Sequence, residues 1–278
     1  MKANKKLLIP LIAVLSAMAL TLGLFALYRE GVISPLLFRS TEGLHKADVG
    51  ETIPYEPEDY CENLILVNGD NTLDPDFLPE VEFYKDTDVL MNSCIIDDYA
   101  LLSAYINETY NKKLCVSSSY RTYEDQERVY NEEGPEIAAL PGTSEHQTGL
   151  ALDLYVHRFA GAGFIECEAG RYVNSYCQDY GFIIRYPEGA EDITGFSYEP
   201  WHIRYVGQPH AEIIAEEGIT LEEYFDLFEI GEWYAYEDYL ISRQDEDEIT
   251  IPASCDGNGV IVSPDNTGHV FVTIDQSS

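Results

Sequence analysis

The chain has 278 residues, with 16 Lys+Arg against 50 Asp+Glu and a formal charge of −34. That balance excludes a nucleic-acid-binding surface, which must neutralise phosphate with cations, and argues against docking on anionic lipid through basic patches. At 45% hydrophobic and 12% aromatic the composition is that of a folded chain, and its length fits one domain with appendages or two small domains.

Lys2, Lys5 and Lys6 precede an apolar run from Leu7 to Tyr28. As a helix this run is roughly 33 Å long, enough to cross a hydrocarbon core. The expectation is an uncleaved anchor over 7–28, with 1–6 cytoplasmic and everything from Arg29 outside the membrane. A cleaved signal peptide is the competing reading; both export the folded part. Residues 29–60, with Pro35, Pro54 and Pro57, are expected to form a stalk. A folded domain over 61–231 and an acidic, β-like C-terminal appendage over 232–278 complete the division.

Leu64–Val67 is a short strand candidate, followed by turn-rich sequence. Ile95, Tyr99, Leu102 and Ile106 mark the buried stripe of a helix over 95–110. Leu114–Tyr120 is expected to be a strand and Thr122–Glu132 a helix. In Leu150–Val156, the leucines 150, 152 and 154 share one face while Ala151, Asp153 and Tyr155 share the other. Residues 170–180 are expected to be helical, 182–186 and 202–206 extended, and 210–217 and 221–228 helical. Strands follow at 249–251, 259–262 and 269–274. This mixture predicts an α+β fold, with a small antiparallel sheet flanked by helices.

The six cysteines, Cys61, Cys94, Cys115, Cys167, Cys177 and Cys255, form no CxxC pair. In an exported protein their even count predicts disulfides, the alternative being that several are free and buried. Cys167 and Cys177 are close in sequence, although a helix between them would hold them apart.

Two of the six histidines sit in unusual settings. Asp153 stands mid-strand, where an unpaired buried carboxylate is costly and a metal ion is one way to satisfy it. His146 precedes that strand across Gly149, so the chain can fold back and bring imidazole to carboxylate. In Glu199-Pro200-Trp201-His202, a carboxylate three residues before a histidine offers one ligand and one nearby base. Two His and one Asp with an open fourth position make a catalytic-type zinc site, free of thiolates and therefore suited to an oxidising compartment. Composition alone leaves the bland reading open, since two histidines and two of the fifty acids carry little weight.

Four blocks carry a resemblance: Ser118-Ser119-Tyr120-Arg121 with Gln126, the run Pro141 to Asp153, Gly181 to Pro187, and Ile193 to Gly207 containing Glu199-Pro200-Trp201-His202-Ile203-Arg204-Tyr205-Val206-Gly207. In order and spacing, from about Leu64 to Leu227, the chain resembles VanY-type D-Ala-D-Ala carboxypeptidases, zinc peptidases that trim peptidoglycan stem peptides. The resemblance implies that 61–231 is a zinc peptidase domain in which His146, Asp153 and His202 bind Zn²⁺ and Glu199 is the general base. It implies that Arg121 handles negative charge, on the substrate's terminal carboxylate or on the oxyanion. Ser144, Gln126 and Trp201 match positions that contact substrate. His157 and His210 fall outside the motifs and are expected at the surface or at caps. Arg185 and Arg204, beside the motifs, are expected in structural ion pairs at least as much as in substrate contacts.

The resulting expectation is an anchored single-pass enzyme, its catalytic domain extracytoplasmic, removing D-alanine from stem peptides. The alternatives are an L,D-carboxypeptidase acting on tetrapeptide stems and a non-catalytic wall-binding module that retains the zinc fold. The stretch after Gly207 (Pro209-His210 and Leu221-Glu222-Glu223-Tyr224) favours the D,D reading.

Overall fold

In the computed structural model, the stripe Ile95, Tyr99, Leu102 and Ile106 is at most 2% exposed and seats a helix on a sheet. The structure describes residues 43–134 and 138–277. The expected anchor, 7–28, and the first part of the expected stalk, 29–42, lie outside the described residues. Among the described residues no helix is long and apolar enough to cross a membrane.

The chain begins with two short strands, β1 (His45–Lys46) and β2 (Thr52–Pro54). A hairpin of β3 (Val81–Phe83) and β4 (Leu90–Asn92) leads into helix α1 (Ile96–Tyr110). Helix α1 has Asp97 and Asp98 in its first turn, where they complement the dipole, and stops at Asn111 in the left-handed region (φ 50°). Strand β5 (Cys115–Ser118) and helix α2 (Tyr123–Glu133) follow, the helix capped by Thr122, whose side chain accepts from the Asp125 amide. Next come β6 (Ala151–Tyr155), α3 (Glu168–Tyr176), β7 (Phe182–Ile184), the single turn α4 (Glu191–Thr194) and β8 (His202–Tyr205). Helices α5 (His210–Glu217) and α6 (Leu221–Phe225) precede β9 (Trp233–Tyr236), β10 (Tyr239–Asp245), β11 (Thr250–Pro252), β12 (Val260–Pro264) and β13 (His269–Asp275).

Two sheets organise the molecule, both antiparallel. The first has the order β5-β6-β8-β7. Leu150, Leu152 and Leu154 bury one of its faces in a core shared with Ile95, Tyr99, Leu102 and Ile106, as the alternation predicts. The second has the order β1-β9-β10-β13-β12. The α+β class with a small antiparallel sheet and flanking helices therefore holds.

Several expectations need correction. Leu64–Val67 is buried but forms no strand. Ile65 and Val67 enter one core, Leu64 and Leu66 another, so the segment alternates like a strand without a neighbouring ladder. Scattered bonds satisfy its backbone instead: Arg204 donates to the Asn63 and Ile65 carbonyls, Asn266 to the Leu66 carbonyl, and the Leu66 amide to the Asp265 carbonyl. Residues 43–60, expected as stalk, contain strands that pair with the C-terminal region, β1 with β9 and β2 with β11. Residues 232–278 are likewise no loose appendage, because Tyr234, Tyr236, Ile241 and Phe271 share a core with Val206, Ala211, Ile214 and Tyr224. His210, expected at the surface or at a cap, is 1% exposed and its ring bonds to Tyr224 and Thr273 instead.

All six cysteines are free thiols, contrary to the expected disulfides. Cys167 and Cys177 flank α3, whose nine residues separate them by roughly 15 Å, beyond the reach of about 7 Å that a disulfide allows.

Candidate active site

Antiparallel register sets Asp153 of β6 directly opposite His202 of β8, so both side chains rise from one face of the sheet. His146 reaches the same place from a tight turn over Glu145–Thr148 that ends at Gly149 with φ 70°. A Cβ on residue 149 would lie 2.8 Å from the Asn92 amide nitrogen and 3.0 Å from Val81 Cγ1. Both the conformation and the close approach require glycine here, and this fold-back brings imidazole to carboxylate. His146 Nε2 lies 3.3 Å from Asp153 Oδ2, and His202 Nδ1 lies 3.0 Å from Asp153 Oδ1. One potential ligand atom from each of the three residues falls within 4.8 Å of the others.

The donor set fits zinc: two imidazole nitrogens and one carboxylate oxygen, with a fourth position left open to the cleft. His146 Nδ1 is 3.0 Å from the Ser119 carbonyl oxygen. A proton held there leaves Nε2 with a free lone pair facing Asp153, as a metal-ligating histidine requires. Burial penalises the charged form of each residue, but neighbours decide the balance for two of them. Asp153 is held well below the usual carboxylate range by the two imidazoles, against its burial. His202 is raised to about 9, because its bond to Asp153 and the nearby Glu145 and Glu199 outweigh burial. For His146 burial prevails and its pKa falls.

Glu199 precedes β8 and its Oε2 stands 3.7 Å from His202 Nδ1, outside the three-residue cluster. Burial raises its pKa, which makes it a better proton acceptor than an exposed glutamate. Arg121 is held across the cleft: Nε and Nη2 donate to Ser118 Oγ at 3.2 and 2.9 Å, and Nη1 donates to Gln126 Oε1 at 2.8 Å. The cleft encloses about 470 Å³, and its walls include Arg121, Ser144, His146, Asp153, Glu199, Trp201 and His202. Seven of the eight residues expected at the site therefore line one cavity.

Gln126 is the exception. It is 1% exposed and spends its carbonyl on Arg121 and its amide on the Ala139 carbonyl at 2.7 Å, so it stands behind the arginine rather than in the cleft. Glu145, Tyr186 and Phe196 also line the cavity, although the motif reading left them without a role. Tyr186 stacks on Phe196 with ring centroids 4.5 Å apart and packs on the His202 ring at 4.9 Å. Arg185 and Arg204 are fully buried and both pair with Glu145, which places them in structural ion pairs. The fixed position of Glu145 between the Ser144 and His146 motif positions was the available signal for it.

Fold and cluster together define an α+β protein with a three-residue metal centre beside a free glutamate. Residues 90–208 match the family model described as VanY, D-alanyl-D-alanine carboxypeptidase. The chain is 32% identical over 187 residues to a D-alanyl-D-alanine carboxypeptidase of Enterococcus faecium, covering 62% of this chain and 60% of that protein. It thus spans less than two thirds of that relative's length. Among solved structures, the vancomycin-resistance D,D-dipeptidase VanXYg, in complex with a D-Ala-D-Ala phosphinate analogue, superposes with a TM-score of 0.68 at 30% identity, over 81% of this chain and 98% of that one. A mutant of the vancomycin-resistance D,D-pentapeptidase VanY in complex with Zn(II) gives a TM-score of 0.52 at 32% identity, over 59% and 98%. The chain belongs to the VanY family of D-alanyl-D-alanine carboxypeptidases.

Proposed function

We propose that this protein is a zinc-dependent carboxypeptidase that removes the C-terminal D-alanine from peptidoglycan stem peptides. The observation that carries the reading is the convergence of His146, Asp153 and His202 on one point, with Glu199 unligated beside it and Arg121 facing it across the same cleft.

His146 through Nε2, His202 through Nδ1 and Asp153 through a carboxylate oxygen would hold the metal. When bound, zinc polarises a carbonyl and acidifies water at the site. Glu199 takes the proton of the attacking water as oxygen adds to the scissile carbonyl carbon. It returns that proton to the nitrogen as the C–N bond breaks, so that D-alanine leaves as an amine. Arg121 offers a planar, permanently charged donor to the terminal carboxylate or to the developing oxyanion. In a chain with 16 cations against 50 acids, an arginine anchored at the cleft wall is a specific provision for an anionic group. Ser144 and Trp201 complete the substrate contacts, and Gln126 serves by fixing Arg121. We place this activity outside the membrane, with residues 7–28 as the tether, on the strength of the basic-then-apolar N-terminal sequence.

Zinc-loaded protein, incubated with a stem pentapeptide ending in D-Ala-D-Ala, is expected to release D-alanine. A chelator should abolish the release and added zinc restore it. Release from a tetrapeptide stem alone would convert the reading to an L,D-carboxypeptidase. No release from either, with stoichiometric zinc bound, would leave a binding module and overturn the proposal.

A further inference from the structure

Glu145 is the most deeply buried carboxylate at the site, 1% exposed, and its two oxygens are treated unequally. Oε1 accepts from Arg185 Nε and from Arg204 Nη1, each at 2.7 Å. Oε2 is buried with no hydrogen-bond partner among the described residues, and so is His202 Nε2. These two unmatched atoms lie 3.8 Å apart. Burying one such atom already costs free energy. Two of them pointed at each other, one on a carboxylate and one on a ring nitrogen, mark a hydrogen bond awaiting its proton.

We propose that Glu145 is the positioning residue for the metal ligand His202. The inference rests on the zinc reading of the site. If His202 gives its Nδ1 lone pair to the metal, its proton must sit on Nε2, and Glu145 Oε2 is the acceptor aimed at it. A shift of under about 1 Å closes the pair to hydrogen-bond distance. Metal-ligating histidines almost always donate their second nitrogen to an outer partner. His146 has such a partner in the Ser119 carbonyl, and Glu145 is the counterpart for His202.

The carboxylate is well held for this task. Arg185 is gripped in turn by Glu222 of α6, with Nη1 to Oε2 at 2.8 Å and Nη2 to Oε1 at 2.6 Å. Arg204 Nη2 donates to the Asn63 and Ile65 carbonyls. Two arginines and two glutamates balance in this buried network. Its place also matters: it adjoins His146 in sequence and lies 3.8 Å from His202 in space.

The first test uses the wild-type protein. With zinc bound and histidine ring nitrogens labelled with ¹⁵N, His202 is expected to carry its proton on Nε2, slowed in exchange with solvent, and His146 on Nδ1. A His202 proton on Nδ1, or an Nε2 proton in free exchange, would overturn the proposal. The second test is Glu145→Gln, whose carbonyl faces the arginines and whose amide faces His202 and opposes a proton on Nε2. Zinc affinity, read by chelator competition, should fall about 10–100-fold, with partial recovery in Glu145→Asp. Activity at saturating zinc should recover more than activity at limiting zinc. A folded Glu145→Gln protein that binds zinc as tightly as wild type would sink the proposal. If the variant does not fold, the wild-type spectrum still decides. A wild-type protein that binds no zinc at all would instead refute the zinc reading beneath it.

Discussion

The sheet that carries the site and the sheet that joins residues 45–46 to the C-terminal strands are both antiparallel, but they bury different things. In the first, β6 presents leucines to the core on one face and Asp153 to the cleft on the other. In and behind the cleft wall, Glu145, Arg185, Arg204, His146 and His202 are all buried, and they are charged or hydrogen-bonding groups. In the second sheet, β13 is buried on both faces. Phe271 enters the core shared with α5 and α6, while Val270, Val272 and Ile274 enter a separate core on the other side. The first sheet gathers its buried charges around the candidate site; the second is held mainly by apolar burial, with the Arg243–Asp265 pair as its buried charge.

The comparison breaks most sharply at Glu199. Glu199→Gln removes the proposed proton acceptor while keeping side-chain volume, and leaves the three proposed ligands intact. The rate of D-alanine release should fall by at least about 100-fold, while zinc content and thermal midpoint stay close to wild type. Measuring all three on one preparation separates chemistry from stability. Near-normal turnover would remove Glu199 from its role.

Legibility followed the same division. The leucine alternation of β6, the helix stripe of α1 and the His146, Asp153, His202 and Glu199 positions were readable, because each is a local pattern or a motif at fixed spacing. Glu145 was passed over because its meaning lies in Arg185, Arg204 and His202, which are 40, 59 and 57 residues away in sequence. Gln126 was placed in the cleft because a motif position does not say which way a side chain faces. The strands β1 and β2 looked like stalk since their partners, β9 and β11, lie near the other end of the chain. Strand β13 was recognised as extended, but a strand buried on both faces loses the alternation that tells what it packs against. His210 shows the same limit. An isolated histidine outside a motif was assigned to the surface or a cap, whereas tertiary packing places it between helices and sheet.

His210 sharpens the comparison from the other side, as a polar group within the apolar joint. Its Nδ1 lies 2.6 Å from the Tyr224 hydroxyl of α6 and its Nε2 3.0 Å from Thr273 Oγ1 of β13, with the Phe271 ring against it. Burial pushes its pKa down to about 3, below the ordinary value of about 6.5 for an unfolded chain. Below that higher value the unfolded state takes up a proton that the folded state refuses, so stability falls as pH drops from about 6.5 towards 3. Between pH 7 and pH 5 this one group should cost about 2 kcal/mol. His210→Gln, which keeps a donor and an acceptor, should flatten that part of the denaturation profile relative to wild type. Equal pH slopes in the two proteins would show that His210 is not buried as a neutral ring.

The smallest predicted effect lies where the two regions meet. Helix α6 buries Leu221, Tyr224 and Phe225 in the core shared with the terminal sheet, while Glu222 on the same helix holds Arg185 behind the active site. A capping box fixes the start of this five-residue helix: Thr220 accepts from the Glu223 amide, and Glu223 accepts from the Thr220 amide. Thr220→Ala should cost about 1 kcal/mol, a fall of roughly 2–4 °C in thermal midpoint for a domain of this size. Zinc affinity should stay within about twofold of wild type, because Arg185 pulls Glu222 into place independently of the cap. Measuring midpoint and affinity together tests whether stability and site geometry separate at this helix. A matching loss of zinc affinity would mean that the ion network depends on the helix start, and that the terminal sheet reaches the metal ligands through α6.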